Sequence, residues 1–483
     1  MDFLFYYRSL APPVIKLQLF KKKSFQDGCV FRYYRHTVLN LLYNYDNIIC
    51  YNKTFYNMKT VKSYTLGCKV NQYESRYLLE GLYQLGYQDA EEGATPDVCV
   101  VNTCTVTSDS DGKSRHLIRK LMRDYPNARL LVMGCWATRN LDLAQELCDQ
   151  AGNGSEVIDD KAKLGDWLYK EGCACPPIGI HRFAGRTRAF VKVQDGCRQR
   201  CSYCAIPTVR SRLSSRSPEE VCQEVAVLVK NGYREIVLTG IHMGFYGEGL
   251  PTLSTGQRPR ELPDLVEALV CLSGDFRLRI SSLESHEVSP RLLDLMEQFP
   301  EKLCPHLHVS MQSGSTPILK SMNRPSTAEQ YYDFCHQAQV RIPDIALTTD
   351  VIVGFPGETE QYFQETLDLV ERIGFSKVHI FRYSQRERTP AAGFPNQIRP
   401  EIKQERLERL NELSQRLRER YFMAQTGKTV RVLIENHNNG TLAGTTERYI
   451  PVQFPGSELL VNQFVELTLQ KENLIPGGSI ETN

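Results

Sequence analysis

The chain has 483 residues, 41% of them hydrophobic, with a formal net charge of +2. That length predicts two to four domains, and the near-neutral balance excludes a general polyanion coat, so any nucleic-acid surface must be a local patch. Sixteen cysteines in a chain of this size exclude a small disulfide scaffold and fit a reducing, cytoplasmic setting with metal ligation.

No apolar run of about 18 residues occurs, so no membrane span is expected. No charged stretch precedes an apolar one as in a signal peptide. Residues 1–57 are crowded with Tyr, Phe, Lys and Arg, carry few acids (Asp2, Asp27, Asp46) and follow no clean period. They are read as a poorly ordered extension or a start assigned too far upstream, with Met58 as the true start. A basic transit peptide is the alternative, but the serine enrichment is missing.

From Met58 the pattern turns regular. Val61–Leu66 predicts a strand ending at Gly67-Cys68, and Ser75–Leu85 a helix with Leu78, Leu79, Leu82 and Leu85 on one side. Val98–Val101 is a continuous apolar run suited to a buried parallel strand, and it leads to Asn102-Thr103-Cys104. Gly112–Tyr125 reads as a basic helix, Arg129–Met133 as a strand ending at Gly134-Cys135, and Ala144–Cys148 as the start of a further helix. This alternation implies a doubly wound parallel sheet over residues 58–172.

Ligands of such sheets bind beyond the carboxyl ends of the strands. Cys68, Cys104 and Cys135 all lie just past such ends, at gaps of 36 and 31 residues, about one βα unit each. Three thiols distant in sequence are therefore expected on one edge. A free cysteine is ordinarily a small buried hydrophobe, and Cys99, Cys148, Cys222, Cys271, Cys304 and Cys335 are read that way. Cys173 and Cys175, in a Gly/Pro-containing linker, are read as structural or incidental.

A second α/β region spans residues 183–421. Its first strand, Arg188–Val193, runs into QDGCRQRCSYCAIP, residues 194–207. Cys197, Cys201 and Cys204 stand there at C-x-x-x-C-x-x-C spacing, so three thiolates can fold round one inorganic cluster. A four-iron, four-sulfur (4Fe-4S) cluster takes a thiolate on each iron, so three local cysteines leave one iron open. A zinc knuckle is the competing reading, but no fourth Cys or His follows nearby. By the same logic Cys68, Cys104 and Cys135 suit a second three-cysteine cluster. Tyr203 offers an aromatic face beside the first.

Further strands are expected at Glu235–Thr239, Arg277–Ser281, His306–Met311, Thr348–Val353 and Lys377–Tyr383, giving a partial (βα)6 barrel. Helices are expected at Ser289–Phe299, Thr327–Val340 and Glu358–Ile373, and Ser217-Pro218-Glu219-Glu220 is a strong helix start. Strand-end segments hold Thr239-Gly240, Gln312-Ser313-Gly314 and Gly354 to Glu358, where glycine permits close backbone approach to a ligand. Asp350 and Glu358 leave ligand contact and a solvated or helix-capping acid both open. His242, His306, His308 and His379 read as packing or hydrogen-bonding residues.

Arg198, Arg200, Arg210 and Arg212 surround the cysteine loop, and Lys113, Arg115, Arg119, Lys120 and Arg123 form a second basic run. Charge runs are usually solvated faces, but arginines flanking a reactive cluster suit phosphates. Glu401–Tyr421 is a charged helix. Residues 422–483 read as a small all-β barrel in the class where oligonucleotide-binding folds occur.

The cysteine loop resembles the radical S-adenosylmethionine (SAM) enzymes. In that superfamily the open iron chelates SAM, and reduction yields a 5′-deoxyadenosyl radical. Three strand-end cysteines, then this loop, then a small β barrel is the layout of the methylthiotransferases. The segments Leu66 to Ser75, Thr239 to His242 and Ser310 to Gly314 resemble the MtaB-type branch, which acts on N6-threonylcarbamoyladenosine beside the tRNA anticodon.

The resemblance implies two 4Fe-4S clusters, on Cys197, Cys201 and Cys204 and on Cys68, Cys104 and Cys135. It also implies SAM contacts at Tyr203, Thr239, Gly240, Gln312, Ser313, Gly354 and Glu358. The radical would activate C2 of the adenine, and the second cluster would present a methylated sulfur. The implied partners are tRNA and a reduced flavodoxin- or ferredoxin-type electron donor. tRNA contacts are expected at Arg198, Arg200, Arg210 and Arg212 and, in a tail of the TRAM type, at Lys428 and Arg431. The tail departs from that pattern, with four cations against six acids. Siblings acting on isopentenyladenosine tRNA or on a ribosomal-protein aspartate are the alternatives, and a non-catalytic iron–sulfur protein is the third.

Overall fold

The computed structural model describes residues 59–183, 186–250 and 261–475. The expectations for residues 1–57 and for a start at Met58 lie outside them.

The first sheet is parallel and five-stranded: β1 (Thr60–Thr65), β2 (Gln88–Asp89), β3 (Val98–Thr103), β4 (Arg129–Gly134) and β5 (Glu156–Ile158), in the order β2-β1-β3-β4-β5. Strand β3 is buried from end to end because helices cover both faces. Val98, Val100, Leu131 and Met133 pack beneath α1 (Lys69–Gln84) with Leu78 and Leu82. Cys99, Val101, Leu130 and Val132 pack on the other side with Ile118 of α2 (Ser108–Asp124). A short helix α3 (Cys135–Arg139) follows β4, and Leu147 of α4 (Leu141–Ala151) completes that side. The strand order reverses between β1 and β3, and such switch points open a crevice at the carboxyl edge.

Helix α1 starts six residues before the expected Ser75, directly after Cys68. Its first turns carry no apolar stripe to read, because they bury polar groups instead. Asn71 donates to the carbonyls of Leu66 (2.9 Å) and Thr103 (3.0 Å). Glu74 is buried among cations at the boundary with the next region.

The central region is an arc of six parallel strands: β6 (Arg188–Asp195), β8 (Glu235–Gly240), β9 (Arg277–Ile280), β10 (His306–His308), β11 (Ala346–Val353) and β12 (Lys377–Arg382). A two-residue strand β7 (Ser214–Ser215) pairs antiparallel with β6. Parallel bridges Leu278–Leu303 and Leu283–Val309 join the two halves of the arc. Outside lie α5 (Pro218–Lys230), α6 (Leu262–Val270), α7 (Pro290–Gln298), α8 (Ala328–Arg341), α9 (Glu360–Ile373) and the long α10 (Pro400–Ala424). The expected start of α5 is a capping box. The Ser217 hydroxyl accepts from the Glu220 N–H, and the Glu220 carboxylate accepts from the Ser217 N–H. This is the expected partial barrel.

The tail is an antiparallel sheet, β15-β14-β13-β16, from β13 (Thr429–Asn438), β14 (Thr441–Thr446), β15 (Pro451–Pro455) and β16 (Phe464–Thr468). Asn439 and Gly440 turn the first hairpin, both at positive φ. The sheet docks at the amino-terminal ends of the barrel strands. There Glu235 accepts from Arg277 (2.6 Å) and Arg279 (2.9 Å). Both arginines also donate to tail carbonyls, Arg277 to Arg431 (2.8 Å) and Thr445 (2.9 Å), Arg279 to Glu447 (3.0 Å). The cysteine loops lie at the other ends of the strands. No helix among the described residues is long and apolar enough to cross a membrane.

Candidate active site

The register lines up three strand ends, with Thr65 opposite Asn102 and Thr103 opposite Gly134. Cys68, Cys104 and Cys135 therefore leave the sheet on one edge. Gly67 and Gly134 each sit at φ +102°, backbone that side-chain-bearing residues avoid. A Cβ on Gly67 would stand 3.0 Å from both Cβ and Sγ of Cys104, and one on Gly134 would stand 2.3 Å from the Thr103 carbonyl oxygen. The strand ends pack too closely for any side chain there. The Ser114 hydroxyl pins Cys104, accepting from its N–H (3.2 Å) and donating to its carbonyl (3.0 Å).

The second trio is held by the barrel. Cys197 donates its N–H to the Arg210 carbonyl (3.0 Å) and Cys204 to the Cys201 carbonyl (3.1 Å), while Ser202 is tied to the Met322 carbonyl (3.0 Å). His242 Nδ1 lies 3.5 Å from Cys197 Sγ, and its other nitrogen meets Glu287. Burial works against a charge on His242, but Cys197 and Glu287 outweigh it and lift its pKa to about 9. Arg324 stands 3.9 Å from Cys201 Sγ and forks onto Glu284. Burial raises the Cys104 and Cys201 thiols and pushes Cys204 up to about 12. Such thiols stay protonated unless a metal centre takes the proton's place.

Arg210 joins the two trios. Its backbone holds Cys197, and its Nε points at Cys135 Sγ, 3.3 Å away. The same guanidinium donates to Glu74 (2.7 and 2.8 Å), Asp195 (2.8 Å) and Asn71 (3.1 Å). Lys192 completes the group, 3.0 Å from Glu74 and 2.9 Å from Asp195. Two carboxylates and two cations thus balance at the seam between the sheet and the barrel.

The other expected contacts fall in several places. Tyr203 packs with Ile318, Met322, Phe355 and Tyr383. Thr239 and Gly240 end β8, and Gly240 sits opposite Gln194 in the register. Gln312 holds φ +68°, a strained position of the kind found at ligand clamps. Ser313 is buried, its hydroxyl accepting from the Ser315 N–H (3.2 Å). Glu358 accepts from the Gly354 N–H (2.9 Å) and from Arg406 (2.7 Å), so it closes its own loop. Asp350 neither caps a helix nor lies free in solvent. It pairs with His308 (3.2 Å) inside the barrel, where His379 stands beside His308 at 5.6 Å between ring centres. Burial, with Lys377 nearby, holds His379 down at about 4. Lys69, next after Cys68, acts electrostatically on His306, Asp350 and His379.

Of the cations expected to hold phosphate, Arg210 is buried and consumed by the seam. Arg198 is exposed and pairs with Glu248 (2.8 Å), and Arg200 and Arg212 are exposed. Lys428 pairs with Asp344 (2.6 Å) and Arg431 with Asp275, both on the barrel.

Sequence reasoning missed Arg324, Glu284, Glu287, Glu74 and Lys192. Two acids three apart in the loop after β9 were the available signal for Glu284 and Glu287. Nothing local marks Glu74 or Lys192, whose partners are far along the chain.

The donor set fits iron–sulfur ligation: six free thiols in two trios, with cationic groups beside Cys135, Cys197 and Cys201 to offset cluster charge. Among the described residues no three His, Cys, Asp or Glu side chains converge to hold one metal ion. A four-iron cluster needs no such convergence, since each thiolate binds its own iron.

The profile of the Radical SAM superfamily matches residues 191–370, and that of uncharacterized protein family UPF0004 matches residues 60–153. The chain is 37% identical to the threonylcarbamoyladenosine tRNA methylthiotransferase MtaB of Chlamydia pneumoniae, over 85% of this chain and 96% of that protein. Identity to the Bacillus subtilis protein of the same name is 35%, over 86% and 94%. A tRNA-2-methylthio-N(6)-dimethylallyladenosine synthase of Desulfitobacterium hafniense is 31% identical, over 86% and 96%. Among solved structures, a radical S-adenosylmethionine methyltransferase, TsrM, from Kitasatospora setae superposes with a TM-score of 0.49 at 14% identity, covering 70% of this chain and 77% of that chain.

Proposed function

The chain belongs to the radical SAM tRNA methylthiotransferase family, and from that footing we propose that it methylthiolates C2 of N6-threonylcarbamoyladenosine beside the anticodon, using two 4Fe-4S clusters. One observation carries the two-cluster reading: Arg210 touches both trios, holding Cys197 by its backbone and facing Cys135 with its guanidinium. When bound, the clusters and SAM supply a carbon-centred radical at one trio and a transferable sulfur group at the other.

The remaining work belongs to this chain's residues. Cys197, Cys201 and Cys204 hold one group, and Arg324 and His242 place positive charge beside it. Cys68, Cys104 and Cys135 hold the other. One open iron cannot hold SAM and a sulfur group at once, so the two tasks need separate trios. The seam of Glu74, Lys192, Asp195 and Arg210 fixes their spacing through buried ion pairs.

The choice of base rests on chemistry at the Cys68 edge. A threonylcarbamoyl group carries a carboxylate, whereas a dimethylallyl group is apolar. Lys69 follows Cys68 and acts electrostatically on Asp350 of the His308–Asp350 pair, with no ion pair of its own among the described residues. It is suited to receive that carboxylate. The 37% and 35% relatives carry the threonylcarbamoyl name. The 31% relative supports the dimethylallyl substrate as the second reading.

A TRAM-type role for the tail, a cytoplasmic location and a flavodoxin- or ferredoxin-type donor belong to the same proposal. Nucleoside mass spectrometry of tRNA from a strain lacking the gene tests it. Unthiolated threonylcarbamoyladenosine should accumulate as its 2-methylthio form disappears. Loss of 2-methylthio-dimethylallyladenosine instead would favour the second reading.

A further inference from the structure

Arginines round the cysteine loop and, by the family resemblance, Lys428 and Arg431 of the tail are the cations expected to hold phosphate. The structure shows that many of those cations are already taken. In the tail, Lys428, Arg431 and Arg448 pair with Asp344, Asp275 and Glu447. Near the cysteine loop, Arg198, Arg210 and Arg216 pair with Glu248, Glu74 and Glu224. A guanidinium held by a carboxylate must lose that partner before it can take a phosphate.

Helix α2 differs. Ser114, Ile118 and Leu121 face the sheet. Lys113, Arg119, Lys120 and Arg123 are all exposed, with His116 among them. At 100° per residue these five cover roughly 120° of the helix, a single stripe opposite the buried face. None of the four side chains makes an ion pair or hydrogen bond among the described residues. Of the helix's acids, Asp111 is bound by Arg386 (2.8 Å), while Asp109 and Asp124 stand in the first turn and at the last residue.

The stripe also starts at the active edge. Cys104 is clamped by Ser114 of this helix, and Ser108 at its first turn meets Ser384 in the loop after β12 (3.3 Å). From Lys113 to Arg123 of this helix, at 1.5 Å per residue, the cations run roughly 15 Å outward from that edge. That length suits consecutive phosphates of a nucleic-acid backbone.

We propose that the exposed face of α2, through Lys113, Arg119, Lys120 and Arg123, is the track that grips the phosphodiester backbone of the tRNA stem while the target base enters at the cysteine edge. This rests on the tRNA reading above. Charge complementarity selects the occupant: a free cationic stripe, without apolar anchors, suits a polyanion read by backbone rather than by sequence.

The test uses the full chain with its iron reconstituted and compares wild type with K113E/K120E/R123E. Because charge reversal can disturb folding, K113Q/K120Q/R123Q is measured alongside, with iron content and melting temperature as controls. The substrate tRNA's affinity is measured from 50 to 200 mM KCl. Three lost phosphate contacts should lower the slope of log affinity against log salt by about 2 to 3, and weaken binding about ten- to a hundred-fold at the lowest salt. Unchanged affinity and slope in both variants, with wild type binding normally, would overturn the track and leave the enzyme reading standing. Unchanged tRNA binding with slowed reduction by an acidic flavodoxin would assign the stripe to a redox protein and equally overturn it. A wild-type protein that fails to bind tRNA at all would instead sink the tRNA reading.

Discussion

Replacing Arg210 by methionine should unlatch the sheet from the barrel. Its side chain and that of Glu74 are each 1% exposed, at 2.7 Å from one another. Removing the guanidinium leaves Glu74 and Asp195 sharing Lys192 alone, a net buried negative charge. Breaking a buried pair from one side costs about 3–5 kcal/mol, a large part of the 5–15 kcal/mol that ordinarily holds a fold. The double variant Arg210→Met with Glu74→Met leaves Asp195 balanced by Lys192 at 2.9 Å. It should recover to within about 2 kcal/mol of wild type, the remainder being the donor that Asn71 loses. Urea unfolding followed by tryptophan fluorescence reads this directly, since Trp136 is buried next to Cys135 and Trp167 lies in the same sheet region. A shift below about 1 kcal/mol for Arg210→Met, or a double variant as unstable as the single one, would refute the charge-balance argument.

Cys201→Ala should abolish SAM cleavage, whereas Cys104→Ala should spare cleavage and abolish thiolation; full product from Cys104→Ala would end the two-cluster mechanism. Glu235→Gln should loosen the tail by about 3 kcal/mol, read as faster tryptic release of residues beyond α10. Burial opposes the Glu235 charge, but Arg279 and Arg277 outweigh it and hold its pKa well below the ordinary 4.5. Its contribution is therefore complete above pH 4.5 and is lost only as pH falls through the depressed folded value, so tail release at pH 5 should match that at pH 7. Lys69→Met should lower kcat/KM for threonylcarbamoyl RNA by roughly 10- to 100-fold, the worth of a charged hydrogen bond. With the threonyl carboxylate methyl-esterified, wild type and variant should converge; an equal ratio on both substrates would remove Lys69 from substrate recognition.

Much of the candidate site was legible along the chain because its ligands are placed by local rules. At Gly67-Cys68 and Gly134-Cys135 a strand end announces both the turn and the thiol, and Cys104 follows the end of a continuous apolar strand. Alternation of strand and helix then puts these ends on one edge, so Cys68, Cys104 and Cys135 could be grouped across gaps of 36 and 31 residues. The C-x-x-x-C-x-x-C loop needs no tertiary knowledge at all. The start of α1 escaped because hydrophobic periodicity cannot see a turn that buries Asn71 and Glu74.

Charge was the part that only the tertiary structure decided. Sequence lists cations; it does not say which are already spent, because their acids stand far along the chain. Arg210 meets Glu74 across 136 residues and Arg431 meets Asp275 across 156. A basic run therefore tells where positive charge is placed, whereas the fold determines whether that charge is free to act, as on α2, or holds the molecule together, as at Arg210.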